Sequence, residues 1–319
     1  LNIGFFDLNS ANKFHIVGKT LTWNWQQGCR LQWFPHNNES RIIYNSIVKE
    51  NYGSIVKDIN TKETLKRYDF PIYSISSNGQ YAVSLNFSRL AWCRPGYGYS
   101  NIKDSTSNEK EPEEDGVYIC DLNKNSKKLI LTVKQIANIK RLDSMNKAIH
   151  YFNHLSFSPS NKRFLFLHLW INKDKRYSRL ITSDLNGRKI NIINNTGFTS
   201  HYCWLNKSEI LSFSKEHDSG NNYYIYNDLN GDKKLFADGI INHDSHPSLS
   251  IEGYKLLYDC YPNRFNRQNL YIYNNDANSL KKIKSFYNPL GFKGENRCDL
   301  HPRWNYNSNM ICCDSPNLN

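Results

Sequence analysis

The sequence predicts an all-β protein, a single β-propeller of four-stranded blades. One layout recurs along the chain: an aromatic or apolar residue, a short polar turn and then an alternating strand. The anchor residues that open these repeats are Trp33, Ile75, Phe157, Trp204, Leu249 and Trp304. Their separations of 42, 82, 47, 45 and 55 residues are mostly close to one propeller blade.

A second layout lies between the anchors, in which a strand ends in an Asp or Asn turn and another strand follows. Its examples are "GVYICDLNKNSKKLILTV", "SRLITSDLNGRKINIIN", "YYIYNDLNGDKKLFADG" and "NLYIYNNDANSLKKIKS". Asn and Gly tolerate positive φ, which tight hairpin turns require. The two layouts together give four short strands per repeat.

The chain ends predict how the ring closes. The 15 residues after Trp304 and the 33 residues up to Trp33 together equal one blade length. We therefore expect the N- and C-terminal strands to share one blade, which leaves no open sheet edge.

Six repeats are counted. The 82-residue interval is interpreted as one blade that carries two insertions within about 93–149, a polar loop (93–116) and a short helix (133–145). The chain has no linker or low-complexity tract, so residues 1–319 are predicted to form a single domain.

Composition narrows the partners. The chain has 41 Lys and Arg against 29 Asp and Glu, and the net charge of +12 favours anionic partners. No stripe of arginines interleaved with aromatic residues indicates a nucleic-acid face. No stretch approaches the roughly 18–20 apolar residues of a membrane span.

The cysteines and the first residues bear on the compartment. The eight cysteines include no Cys-x-x-Cys pair, so a zinc ribbon is not predicted and reduced thiols are expected. The first residues, "LNIGFFDLNS", lack a signal pattern, so a cytoplasmic location is the default expectation. The chain starts at Leu, so a periplasmic or secreted location stays open.

Histidines occupy one position of the repeat. The residues three places before the anchors are Arg30, Ile72, His154, His201, His246 and His301. The inner strand of a blade begins at the central channel, so we expect the four histidines to meet at one channel mouth. Imidazole is the commonest metal ligand in proteins, which favours a metal or ligand site; a structural histidine in each blade is the alternative.

Further donors lie beside these histidines. Asn296, Cys298 and Asp299 precede His301, and Asp244 precedes His246. Nitrogen and oxygen ligands suit manganese, zinc or iron, and Cys298 would favour zinc. The candidates for substrate binding lie before the first inner strand, near the long loop and after His301; they are Gln27, Arg30, Arg89, Arg94, Tyr97 and Arg303.

The segments "SHYCW", "SHPSLS" and "CDLHPRW" in this register resemble the oligogalacturonate lyases and, more loosely, the propeller-fold ulvan lyases, which are seven-bladed. The resemblance implies that His246 and His301 bind manganese. Asp299 stands in the place of another ligand histidine and Asn296 in that of a ligand glutamine. His201 is the implied catalytic base, with His154 as a further candidate, and the implied catalytic arginine is Arg176 or Arg179.

The resulting hypothesis is a metal-assisted lyase that acts on uronate-containing, anionic sugar chains by β-elimination, with a divalent transition metal, manganese or zinc, as cofactor. A histidine can take the proton α to the carboxylate, and a metal ion or Arg can stabilise the negative charge that develops. The alternatives are a non-catalytic propeller that binds carbohydrate or protein, and a hydrolase that uses the same histidines.

Overall fold

The computed structural model of the protein describes residues 1–9, 13–35, 40–217 and 220–316. These residues form an N-terminal hairpin, five antiparallel sheets of four strands each, and a C-terminal hairpin. Within every four-stranded sheet the strand order follows the chain order.

The chain begins with the N-terminal hairpin and the first two sheets. The hairpin is β1 (Asn2–Asp7) and β2 (Lys13–Lys19). The first sheet is β3 (Gln32–Trp33), β4 (Arg41–Val48), β5 (Asn51–Asp58) and β6 (Thr64–Tyr68). The second sheet is β7 (Ser74–Ile75), β8 (Tyr81–Ser84), β9 (Gly116–Asp121) and β10 (Ser126–Thr132).

The remaining strands form three further sheets and the C-terminal hairpin. The third sheet is β11 (Ile149–Phe157), β12 (Arg163–Asn172), β13 (Lys175–Asp184) and β14 (Asn191–Asn194). The fourth sheet is β15 (Thr199–Trp204), β16 (Glu209–Glu216), β17 (Gly220–Asn227) and β18 (Lys233–Leu235). The fifth sheet is β19 (Ser248–Leu249), β20 (Lys255–Asp259), β21 (Arg267–Asn274) and β22 (Ser279–Tyr287). The C-terminal hairpin is β23 (Arg303–Trp304) and β24 (Ile311–Cys312).

The predicted anchors mark the blades. Every anchor residue is the last residue of the first strand in its sheet or, for Trp304, in the C-terminal hairpin. The succession of four-stranded antiparallel sheets confirms the predicted fold class, a β-propeller. The sharing of one blade by the two terminal hairpins, and a ring of six or seven blades, stay predictions.

The predicted hairpin turns between the outer strands are confirmed. In each turn a side-chain oxygen accepts the backbone N–H group two residues further on, at 2.9 to 3.2 Å; the acceptors are Asp121, Asp184, Asn227 and Asn274. Positive φ follows within four residues, at Asn125, Gly187, Gly231 and Asn278. These side chains replace backbone partners and fix each turn locally.

The chain divides into two compact units, and the prediction of a single domain stays a prediction. Unit 1 comprises 1–176 and 183–190, and unit 2 comprises 177–182 and 191–319. In unit 1 a buried cluster that includes Ile43, Val56 and Cys120 packs between the first and second sheets. In unit 2 a similar cluster that includes Leu211, Tyr223 and Leu256 packs between the fourth and fifth sheets.

The insertion at about 93–149 consists of two excursions, one on either side of β9 and β10, which complete the second sheet. The first excursion runs from 85 to 115 and contains helix α1 (Phe87–Cys93), whose N-cap side chain is Asn86. The second runs from 133 to 148 and contains α2 (Val133–Asn138), which Thr132 and Gln135 close with a capping box.

The cysteines and the helices agree with two composition-based predictions. All eight cysteines are free, and Cys29, Cys93 and Cys120 are buried. Burial raises the pKa of Cys29 to about 11, as expected for a small core residue rather than a reactive thiol. Among the described residues, neither helix has the length and apolar character needed to cross a membrane.

Candidate functional site

Three of the four in-register histidines lie together in unit 2. The ring centroids of His201 and His246 are 4.1 Å apart, and those of His246 and His301 are 4.3 Å apart. His201 lies on β15, whereas His246 and His301 lie just before β19 and β23. The repeat therefore places equivalent backbone positions of three successive sheets side by side.

Asp259, the last residue of β20, holds two of these histidines. Its carboxylate lies 2.9 and 3.0 Å from Nδ1 of His246 and accepts the backbone N–H of His246 at 2.8 Å. It also accepts the backbone N–H of His301, at 3.2 Å. Asp259 is 2% exposed. A buried carboxylate with this many donors fixes the imidazole of His246 and the backbone of His301.

The electrostatics keep the carboxylate charged and the imidazole neutral. Burial opposes the charge of Asp259, but the hydrogen bonds from the imidazole and the backbone N–H group of His246 outweigh it, so the pKa of Asp259 lies below its ordinary value. Burial and the neighbouring His201 lower the pKa of His246 despite Asp259. His246 therefore donates its Nδ1–H to Asp259, and the lone pair is on Nε2.

His201 has a carboxylate partner of its own. Asp244 lies 2.9 Å from Nδ1 of His201 and accepts the hydroxyl of Ser200 at 2.6 Å. Burial opposes ionisation of Asp244, yet the bond with His201 outweighs it and holds its pKa below the ordinary value. Asp244 thus orients the imidazole of His201, as the carboxylate behind a general base does.

A metal-ligand geometry surrounds His301. Ligand atoms of His246, Asp299 and His301 all lie within 4.8 Å of one another. Asp299 is 3% exposed, and its carboxylate accepts Nε–H of Arg297 at 2.8 Å. His301 has a positive φ of 40° and lies 3.5 Å from the carboxylate of Asp314 through its Nδ1. Two imidazoles and one carboxylate match the donor set of manganese and zinc.

Two further side chains border the histidines. Tyr261 is 38% exposed, and its ring centroid is 6.2 Å from that of His201 and 5.9 Å from that of His246. Arg303, a predicted substrate-binding residue, is half-exposed and donates to Asp314 at 2.7 Å. An exposed aromatic ring and a guanidinium group are suited to a flat, anionic ligand.

The remaining predicted residues of unit 1 gather around Tyr73. The guanidinium of Arg30 lies 4.0 Å from the ring centroid of Tyr73, whose hydroxyl donates to Asn153 at 2.9 Å. Gln27 donates to the same Asn153 oxygen at 3.1 Å. His154 donates its backbone N–H to the Tyr73 hydroxyl at 3.0 Å and adopts a φ of 52°.

Arg94 and Tyr97 adjoin this group. The guanidinium of Arg94 lies 4.6 Å from the ring centroid of Tyr97, and the ring centroids of Tyr97 and His154 are 6.0 Å apart. Tyr97 is 6% exposed. His154 belongs to unit 1 and the other three histidines to unit 2.

Two predicted arginines are buried in contacts within the fold, and their roles in the site stay predictions. Arg89, predicted to bind substrate, is 2% exposed and donates to the carbonyls of His150, Thr106, Glu109 and Lys110. Its guanidinium ties the first excursion to β11. Arg179, predicted as a catalytic candidate, is fully buried and donates to Asn195 at 2.9 Å.

The other two predicted site residues, Arg176 and Asn296, are exposed. Arg176, the alternative catalytic arginine, lies on β13 with its side chain in solvent. Asn296 ends the 3₁₀ turn Gly294–Asn296 and is exposed. The roles of both residues stay predictions.

Comparison with known proteins finds solved structures whose fold is similar to that of this chain. An oligogalacturonate lyase in complex with manganese has a TM-score of 0.60 and 12% sequence identity, covering 99% of this chain and 78% of that one. The tricorn protease has a TM-score of 0.53 and 9% identity, covering 94% and 29%. The similarity is one of fold.

A third solved structure has a lower similarity, and the sequence comparisons found no match. TolB from Acinetobacter baumannii has a TM-score of 0.46 and 14% identity, covering 86% of this chain; the chain spans 58% of the length of TolB. No protein-family model and no curated protein sequence matches this chain.

Sequence reasoning missed Asp259 and Tyr261. Asp259 ends an apolar strand, "KLLYD", where a charged residue is unusual, and this is the signal that could have found it. Asn45 occupies the corresponding place in β4 and likewise bonds the next repeat, through the backbone N–H and C=O of Ile72. Tyr261 has no comparable signal, because tyrosine is common throughout the chain.

Proposed function

We propose that the protein is a metal-assisted lyase that cleaves uronate-containing sugar chains by β-elimination. The observation that carries the proposal is the cluster of His246, Asp299 and His301, with His201 packed beside it. Support also comes from the similar fold of an oligogalacturonate lyase in complex with manganese.

The residues present fit a divalent transition metal. Metal-binding histidines usually donate their second ring nitrogen to a carboxylate, and His246 does so to Asp259. Asp299 offers a buried carboxylate oxygen, and His301 offers a second imidazole. A bound manganese or zinc ion would supply positive charge for the anion that develops at the uronate carboxylate. In this proposal His246, Asp299 and His301 hold it.

The proposed base is His201. With Nδ1–H donated to Asp244, its basic nitrogen is Nε2. In the elimination Nε2 takes the proton from the carbon α to the carboxylate, and the electron pair of that C–H bond forms the new C=C bond. The bond between the β carbon and the glycosidic oxygen breaks, and that oxygen leaves with the electron pair. Asp244 stabilises the imidazolium that results.

The proposed substrate contacts are made by exposed residues near the histidines. Tyr261 presents a ring next to His201 and His246, where the apolar face of a sugar can pack. Arg303 is the nearest described arginine to His301 in sequence and is half-exposed; a substrate carboxylate would share its guanidinium with Asp314, to which it donates at 2.7 Å. Arg176 stays the candidate for the catalytic arginine.

The test is an elimination assay. Wild-type protein incubated with manganese and oligogalacturonate should generate the ultraviolet absorbance of the unsaturated product. His201→Ala should lower the rate by about 10²–10⁴-fold, the usual contribution of a general base, while retaining the metal. His246→Ala should lose both metal and activity. The exposed His217 provides the matched control, His217→Ala, which should behave as wild type.

The assay also discriminates the alternative function. Saturable binding of the sugar without product, across saturated and methyl-esterified uronate chains, would favour a non-catalytic binding propeller. Activity that survives His201→Ala at the wild-type rate would remove the proposed base.

A further inference from the structure

Unit 1 contains a polar cleft that the proposed site does not use. It has a volume of about 320 Å³ and opens between the first sheet, the second sheet and the first excursion. Small-molecule sites are typically clefts of about 300–1,000 Å³. The residues that matter for its chemistry are Tyr52, Ser84, Lys103, Asp104, Tyr118 and Lys127.

The cleft has a surplus of positive charge. Lys103 and Lys127 have no acidic partner among the described residues, and Lys127 lies with its ammonium group 4.7 Å from the ring centroid of Tyr118. The two acidic residues of the lining are already neutralised. Asp104 is paired with Arg89, and Asp69 lies 3.0 Å from the ammonium of Lys49.

Asp104 is also saturated with hydrogen bonds. Its carboxylate accepts the side chains of Asn86 and Trp92 and both the backbone N–H and the hydroxyl of Thr106. These bonds outweigh the burial that opposes its charge, and its pKa lies below the ordinary value. Because the Asp104 carboxylate is fully hydrogen-bonded within the protein, the positive charges of Lys103 and Lys127 dominate the electrostatic environment of a ligand in the cleft.

One buried polar atom in the lining has no partner in the described part of the chain. The hydroxyl of Ser84, at the end of β8, is 1% exposed and makes no hydrogen bond. Buried hydroxyls are nearly always paired, because an unpaired one loses its hydrogen bonds to water without replacement. A ligand hydroxyl or carboxylate oxygen in the cleft would complete it.

We propose that this cleft is a second binding site, which takes a carboxylated saccharide. Carboxylates would meet Lys103 and Lys127, ring hydroxyls would meet Ser84, and the apolar face of a sugar would pack on Tyr52. The choice of a uronate as ligand rests on the proposed function; the existence of an anion-binding cleft does not. Such a site would hold part of a long anionic chain independently of the histidine cluster.

The test is calorimetric titration of the full chain with trigalacturonate, in the presence of a chelator so that no elimination occurs. The His201→Ala/His246→Ala variant serves as the background, which isolates the cleft from the histidine site. Lys127→Ala should weaken binding about fivefold and Lys103→Ala/Lys127→Ala about 20-fold, as expected for partly exposed charged contacts.

Two controls make the result specific. Lys128 is the next residue on β10, and alternation of side chains along a strand turns it to the opposite face, so Lys128→Ala should bind as wild type. Ser84→Ala removes a hydroxyl that bonds nothing in the protein, so it should weaken binding severalfold with an unfolding midpoint no lower than that of the parent protein.

The outcomes separate this inference from the proposed function. Unchanged affinity in the double lysine variant, or equal affinity for a neutral trisaccharide, would overturn the proposal that the cleft binds a carboxylated saccharide. Loss of affinity in the lysine variants would support the cleft even if the elimination assay gave no product, because neither lysine belongs to the histidine site.

Discussion

Replacement of Asp259 by Asn tests the arrangement that supports the histidines. The native carboxylate accepts three N–H groups: Nδ1 and the backbone N–H of His246, and the backbone N–H of His301. An Asn side chain keeps one oxygen, and its NH₂ group faces at least one of those donors. One or two hydrogen bonds to a charged group are lost, each worth about 1.5–3 kcal/mol. We expect the free energy of unfolding to fall by about 2–4 kcal/mol.

The assay is urea unfolding at pH 7, followed by circular dichroism, with a chelator present so that metal binding does not contribute. The matched control is Asp276→Asn in the exposed turn between β21 and β22, which should stay within about 0.5 kcal/mol of wild type. In a separate titration Asp259→Asn should weaken manganese binding about 10–100-fold, the usual effect of removing a carboxylate behind a histidine ligand. Unfolding of Asp259→Asn within about 0.5 kcal/mol of wild type would refute the reasoning.

Two more predictions concern the first excursion and the strands beside it. Burial raises the pKa of Asp115 from 3.8 to about 6, because the side chain is 2% exposed and has only partial compensation. The unfolded chain releases this proton at lower pH than the folded one, so stability falls as pH rises from about 4 to 6 and stays lower above it. Asp115→Asn should therefore raise the free energy of unfolding by about 2–3 kcal/mol at pH 7.5 and give no gain at pH 3.5; an equal gain at both would contradict the burial argument. Arg89→Lys should lower the free energy of unfolding by about 3–5 kcal/mol, because an ammonium group cannot reach all four carbonyls that the guanidinium contacts; a stable variant with weakened sugar binding would restore Arg89 to the substrate site.

The repeat made most of the fold predictable. Every anchor ends the first strand of its sheet or hairpin; Phe157 is buried there, whereas Trp33 is 62% exposed. The Asp and Asn turns are local chemistry, which sequence alone can identify. Helix α1 was less accessible: its seven residues are too few for a helical period to emerge, and the helix depends on the buried bonds of Arg89.

The position of the histidine site could be predicted from the sequence, but the hydrogen-bond partners of the histidines could be predicted only in part. Register alone placed His201, His246 and His301 at one place, since equivalent positions of neighbouring blades are adjacent. Asp259 stands out in the sequence as a charge that ends an apolar strand, but its role was not predictable, because it arises from contacts with residues 13 and 42 positions away. The burial of Arg179 could not be predicted from a period of two, because every residue of β13 from Ser178 to Ser183 is buried.

Metal content tests the central claim most directly. Wild-type protein and the His246→Ala/His301→Ala variant are dialysed to equilibrium against the same concentration of manganese, and bound metal is measured by elemental analysis of the folded proteins. The account predicts about one ion per chain in the wild type and none in the variant. Equal metal in both proteins, or none in folded wild type at saturating manganese, would contradict it.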